Sequence, residues 1–295
     1  MTPRERRGFW LGLLGVVIFS GTFPATRLAV ATLDPVFIAC GRAVAAALLA
    51  ACLLAVVRRP LPRGRQWRQL AVIAGGVVFG FPLLASWAMR HVPSSHGAVL
   101  AGILPLATAL MGALRAGDRP SAGFWLAAAA GSALVVGFAL WQGGGTLHLA
   151  DLALLGAVAA AAIGYAEGAQ LTHDLGGWET ISWTLLLALP LSAVLAWLHA
   201  PADWSAVPAA AWTAFAYLAI MSQYVGFFAW YKGLALGGVA RVSQTQLLQP
   251  FFTLVLAALF IGESLTVATI VFACAVVATV AIGRAMPVRH RDELR

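Results

Sequence analysis

The densest run of chemistry-bearing side chains in this sequence is Ser243-Gln244-Thr245-Gln246, with Gln249 and Pro250 just beyond it. Carboxamides both donate and accept hydrogen bonds, so such a run can hold a carboxylate and an ammonium without itself ionising. Ser243, Gln246, Gln249 and Thr253 are three or four positions apart and share one helix face. Further candidates for binding are Gln223 and Tyr224 beside Ser222, Phe81 and Trp87 flanking Pro82, and Ser20 beside Thr22 and Pro24. Two charged residues sit within apolar stretches. Arg42 suits either a structural tie or a substrate carboxylate, and Glu167, beside Tyr165, suits a gate, a coupling proton or an interfacial acid. The plainer alternatives are that polar side chains join helix to helix and that the aromatic rings simply pack. His91 and His96 read as surface histidines.

Chemical catalysis is disfavoured by the same inventory. No HExxH, GxSxG, CxxC or glycine-rich phosphate loop occurs, and no two acids share a face within an apolar stretch. Cys40, Cys52 and Cys274 lie in separate apolar runs without metal-ligand spacing and read as buried, inert thiols. No metal or cofactor is expected.

The elements that must position these residues are apolar helices. Of 295 residues, 61% are hydrophobic and 10% charged, against about 25% charged in soluble domains. The lipid bilayer is therefore the expected solvent. A span needs about 20 apolar residues, and on that ruler spans fall near 9–30, 35–57, 69–90, 95–115, 121–142, 150–171, 179–199, 209–231, 238–261 and 264–284. At 1.5 Å per residue, Gln246 is about 12 Å into the ninth span, near mid-depth of a core about 30 Å thick. The net charge of +8 comes largely from arginines between the apolar runs, which fits the positive-inside rule better than a nucleic-acid partner. With Arg4, Arg6 and Arg7, the loop from Arg58 to Arg68, Lys232, Arg241 and the C-terminal arginines on one side, both termini are expected in the cytoplasm. No cleavable leader is read, and the excess of Arg over Lys hints at a GC-rich bacterial genome, hence a bacterial inner membrane.

One stretch occurs twice, 145 positions apart: Pro105, Thr108, Ala113, Leu114, Gly117 and Asp118 match Pro250, Thr253, Ala258, Leu259, Gly262 and Glu263. The chain thus divides into repeats at 1–145 and 146–295, and five spans per repeat would invert the second against the first. The Gly-acid ends read as turn chemistry, with Ser264 or Thr266 capping the last helix. The copies differ just before the proline, where Val99-Leu100-Ala101-Gly102-Ile103-Leu104 faces Gln244-Thr245-Gln246-Leu247-Leu248-Gln249. The second copy carries the polar chemistry.

On Pro250 with Gly262-Glu263-Ser264-Leu265-Thr266, the weaker copy at Pro105 and Gly117-Asp118, and Arg42 early in the second span, the chain resembles the drug/metabolite transporter superfamily, in its ten-helix, two-repeat EamA-like branch. The resemblance implies an all-α membrane protein that moves small molecules by alternating access, and it favours a structural Arg42. Small metabolites are the expected cargo, with aromatic or other apolar amino acids first. Cationic drugs, or nucleotide sugars and sugar phosphates, are the alternatives, and an intramembrane enzyme is the alternative of a different class. The oligomeric state is open.

Overall fold

The computed structural model describes residues 2–116, 119–142, 148–285 and 288–289. Asp118, Gly117 and the glycines 143–145 lie outside them. The chain is helical: α1 (Pro3–Ala29), α2 (Pro35–Val57), α3 (Arg65–Met89), α4 (Ser94–Leu114), α5 (Ala122–Gln142), α6 (Leu149–Leu175), α7 (Gly177–Leu198), α8 (209–237), α9 (Val239–Ile261) and α10 (Val267–Ala285). Among the described residues, seven of these runs, α1–α4, α6, α7 and α9, are long and apolar enough by length and composition to cross a membrane. Two-residue strands β1 (Arg119–Pro120) and β2 (Val288–Arg289) pair antiparallel.

Local chemistry sets the helix ends. Thr2 and Glu5 form a reciprocal capping box, so α1 starts at Pro3, several residues before its apolar run. Asp34 caps α2 through the N–H groups of Val36 and Phe37. At the end of α9, Gly262 takes φ +69°, the left-handed conformation that lets a helix stop and reverse.

The packing repeats with the sequence. α2 lies on α7, α4 on α9 and α5 on α10, while α1 lies on α8 just as α6 lies on α3. Advancing every helix number by five leaves this pattern unchanged. Both members of the last equivalence pack through glycine. A Cβ on Gly233 of α8 would come within 2.7 Å of Gly12 N on α1, and one on Gly76 of α3 within 2.5 Å of Ala160 O on α6. Small residues let helix backbones approach closely where lipid supplies no hydrophobic drive.

The apolar interior forms two large clusters stacked along the bundle. One contains Val16, Phe19, Ala46, Leu70, Tyr165, Leu185 and Trp230; the other contains Phe23, Ile38, Met89, Leu100, Leu154 and Leu218. They meet around Phe79, Phe81 and Ile103, which touch both. Cys40 is buried as expected, but Cys52 and Cys274 are exposed on the bundle's outer faces, where an apolar helix would present them to lipid.

Candidate functional site

Among the described residues, α3, α4, α8 and α9 lose α-helical bonding part-way along, and they do so in matched places. α3 carries a π-helical segment at Ala74–Gly80 and α8 one at Leu218–Val225. α4 tightens to a 3-10 turn at Ala101–Ile103 and α9 at Ser243–Leu248, each just before its proline. Shifted by 145, the α3 segment covers 219–225 and the α4 turn 246–248, so each irregularity falls on its counterpart. Proline removes a donor and clashes with the preceding turn, which accounts for the 3-10 turns. π-helical turns leave backbone groups in need of other partners and gather at functional sites.

Polar side chains supply those partners. Gln223 Nε2, in the π segment of α8, donates to Val77 O, in the π segment of α3, at 3.2 Å. Thr253 Oγ1 donates to Ser20 O at 2.9 Å, where α1 changes course before Gly21. Thr22 and Ser222 join α1 to α8 through their hydroxyls at 2.8 Å. Ser243 reaches Ala240 O at 3.1 Å and Pro105 O at 3.5 Å, tying the two proline turns together.

A cavity lies among these turns, walled by Phe19, Thr22 and Phe23 of α1, Arg42 of α2, Val77 and Phe81 of α3, Ala101 and Leu104 of α4, Ala161 and Tyr165 of α6, Ser222, Gln223 and Phe227 of α8, and Gln249 of α9. Its free space is about 20 Å³, enough for about one water. The conformation is thus closed around its centre. Arg42 is 2% exposed, its Nε has no hydrogen-bond partner, and no acid pairs with it among the described residues. A buried cation without a counter-ion is costly unless water or an anion reaches it. Aromatic rings surround the space: Tyr165 stacks on Phe19, centroids 6.4 Å apart, and meets Trp230 edge-on at 5.3 Å.

Of the residues singled out from sequence, Arg42, Phe81, Tyr165, Gln223 and Gln249 therefore face one space. The others lie elsewhere. Gln246 is buried one turn before Gln249, with neither its amide nitrogen nor its oxygen hydrogen-bonded. The 3-10 turn stacks Ser243, Gln246 and Gln249 nearly in line, since three residues complete a turn there. Gln244 Nε2 bonds back to Ala240 O at 3.2 Å, leaving its Oε1 without a partner. Tyr224 turns away to α7, where its hydroxyl meets Ser182 at 2.8 Å. Ser20 bonds back to Val16 O at 2.7 Å. Glu167 is buried on α6 beyond Tyr165. Trp87 is 39% exposed and borders a separate surface hollow with Arg27, Arg90 and His91.

Sequence reasoning passed over Phe19, Phe23 and Phe227, whose rings in an apolar helix look like any packing residue. It also read His96 as a surface residue, whereas the ring is buried and its Nε2 lies 2.6 Å from Asp151 Oδ1. Asp151, the third residue of α6 after its N-cap His148, was available as a partner, but sequence distance hid it.

Comparison with known proteins agrees with this architecture. The chain is 48% identical, over 95% of its length and 98% of the relative's, to a Bacillus subtilis protein described as the uncharacterized transporter YdeK. It is 27% identical, over 87% of its length and 86% of the relative's, to a probable terminal-alkyne amino-acid exporter of Streptantibioticus cattleyicolor. A solved crystal structure shares the fold at a TM-score of 0.71 and 19% identity, over 96% of this chain and 99% of its own. The model of the EamA-like transporter family matches twice, at residues 6–140 and 148–283, which together span nearly the whole chain. The chain belongs to the EamA-like transporter family, a family of multi-pass membrane transporters, and carries that family's unit twice.

Proposed function

We propose that this transporter exports amino acids with aromatic or other apolar side chains, by alternating access through the closed central cavity. The observation that carries this reading is Arg42: a buried guanidinium without an acid among the described residues, facing a space otherwise lined by amides, hydroxyls, aromatic rings and aliphatic side chains. A carboxylate would satisfy the cation, Gln223 and Gln249 could accept from an ammonium, and Phe19, Phe81, Tyr165 and Phe227 suit a flat apolar side chain. Cationic drugs fit less well, because Arg42 would repel them. Sugar phosphates and nucleotide sugars would draw on more cations than this cavity offers. The amino-acid exporter among the relatives supports the same class.

The topology proposed is ten spans in two inverted repeats, residues 1–145 and 146–295, in a bacterial inner membrane with both termini in the cytoplasm. An odd number of spans per repeat turns the second repeat over, and the arginines gather at the end of the bundle that bears the N-terminus. Gln246, whose amide lacks partners beside Gln249, would join the site once the two halves part.

Flux of labelled solutes in proteoliposomes tests the reading. Wild-type protein moves phenylalanine or leucine. Arg42→Gln lowers that flux at least tenfold, Arg42→Lys keeps part of it, and Gln246→Ala reduces it in protein that remains folded and inserted. Undiminished amino-acid flux in Arg42→Gln, or wild-type flux of cationic amines in place of amino acids, overturns it.

A further inference from the structure

Among the described residues, four acid–base pairs join residues of the first repeat to residues of the second. At the end of the bundle that bears the N-terminus, Glu5 pairs with Arg241, and Glu179 with Arg59 at 3.1 Å. At the opposite end, Asp34 pairs with His199 at 3.3 Å and Asp151 with His96 at 2.6 Å. The pairs correspond through the repeat. Shifted by 145, Asp34 falls on Glu179 and His96 on Arg241, while Glu5 falls next to Asp151 and Arg59 lands five positions past His199. One chemical difference breaks the correspondence: the cation is arginine at one end and histidine at the other. Arginine stays charged at every physiological pH, whereas histidine changes charge between about pH 5 and 8.

We propose that His96 and Asp151 form a proton-binding latch on the outer face, which holds the outer mouth shut when the outside is acidic and releases it towards neutral pH. The pair is suited to the task. The side chains of His96 and Asp151 are 9% and 1% exposed, so solvent screens their attraction far less than at a surface. The second oxygen of Asp151 accepts the His148 N–H at 2.8 Å, which fixes the carboxylate against the ring. Phe138 of α5 covers the imidazole, centroids 5.8 Å apart. A neutral His96 keeps one hydrogen bond to Asp151, and protonation adds the charge–charge attraction. The His199–Asp34 pair has side chains 41% and 37% exposed and so contributes little.

The other titratable or charged groups brought to this end by the elements around the start of α4 do not replace that pairing. Glu263, after α9, is taken up by Ser94 and Ser95. Arg27 of α1 donates to Met89 O, and Arg90 and His91, just after α3, are exposed. His148 of α6 meets Asp151 through its backbone N–H, while α5 and α10 present the rings of Phe138, Trp141 and Phe272. Because the latch joins one repeat to the other, opening the outer mouth must loosen it. This inference rests on alternating access and on the outward placement of this end, but on no particular substrate.

The test reads accessibility, not transport. In protein with Cys40, Cys52 and Cys274 replaced by alanine, Ala101→Cys places a thiol in the cavity wall. A membrane-impermeant thiol reagent is added outside oriented vesicles between about pH 5.5 and 8. Each rate is divided by that of the same protein carrying His96→Gln, which cancels the reagent's own pH dependence. The ratio is expected to fall severalfold on acidification, and Asp151→Asn, which keeps a hydrogen bond without the charge, is expected to abolish that fall. A flat ratio overturns the latch. A thiol unreachable from either side at every pH overturns alternating access itself, and the latch with it.

Discussion

Glu263 illustrates what one residue can be read to do and what it does. The Gly-acid turn suggests an acid serving the helix that follows, and Thr266 does take that cap, its hydroxyl receiving Thr269 N–H at 3.2 Å. Glu263 instead crosses to the start of α4, where Ser94 N and Oγ reach one carboxylate oxygen, each at 2.9 Å, and Ser95 N reaches the other at 3.0 Å. Burial raises its pKa, but the N–H and hydroxyl donors of Ser94 and Ser95 outweigh burial and leave it below the usual carboxylate range. A depressed folded pKa stabilises fully above the unfolded value of about 4.3, and that contribution fades as pH falls through the folded value. Glu263→Ala is therefore expected to lose about 1.5–3 kcal/mol at neutral pH, the worth of hydrogen bonds to a charged group. Thermal melts in detergent would register a lower midpoint near neutrality and a gap from wild type that narrows below about pH 4. An unchanged neutral midpoint would refute the role. The turn itself was legible because Gly and Thr act locally; its carboxylate was not, because its partners lie 168 and 169 positions away.

At the scale of the element, the apolar runs told where helices lie, but not where they cease to be α-helical. Pro105 and Pro250 stand just after the two 3-10 turns, but in the sequence they marked only the repeat. The π segments of α3 and α8 carry no proline within them, and only their matched positions mark them as one device used twice. That device explains why Gln223 faces the cavity: it answers a carbonyl in the opposing π segment. The rigid seams beside these turns are glycine against glycine. A Cβ on Gly233 would meet Gly12 N at 2.7 Å and Gly8 O at 3.0 Å, and backbone atoms cannot swing aside as a side chain can. Gly233→Ala should push α1 from α8 and cost about 1–3 kcal/mol, the range for overpacking. Gly137→Ala on α5, with nothing within 4 Å of the added carbon, is the control. Equal melting temperatures for the two variants would contradict a backbone-to-backbone seam.

At the scale of the whole molecule, both ends are tied at once around a cavity that holds about 20 Å³. On the alternating-access reading, such a conformation sits between two open ones, and the balance of ties at the two ends decides which opens more often. The repeat was legible from five identities, yet the ties were not, because an ion pair between repeats leaves no trace in either repeat alone. With the N-terminal end in the cytoplasm, as proposed, the arginine ties set the cytoplasmic mouth and, unlike the histidine latch, do so without regard to pH. Arg241 and Glu5 are partly exposed, with side chains 31% and 21% accessible, so the pair is worth at most about 1 kcal/mol. Its loss should therefore shift the ratio of open to closed forms by no more than about fivefold. Glu5→Gln in the cysteine-substituted protein with Ala101→Cys should accordingly raise labelling from the cytoplasmic side by a few-fold. The rise relative to Glu5 protein should be the same at about pH 5.5 and 8, and smaller in high salt, where the intact tie is already screened. A rise that followed pH would place the proton-sensitive element at the cytoplasmic end. No rise at all would mean that the arginine ties do not bear on opening.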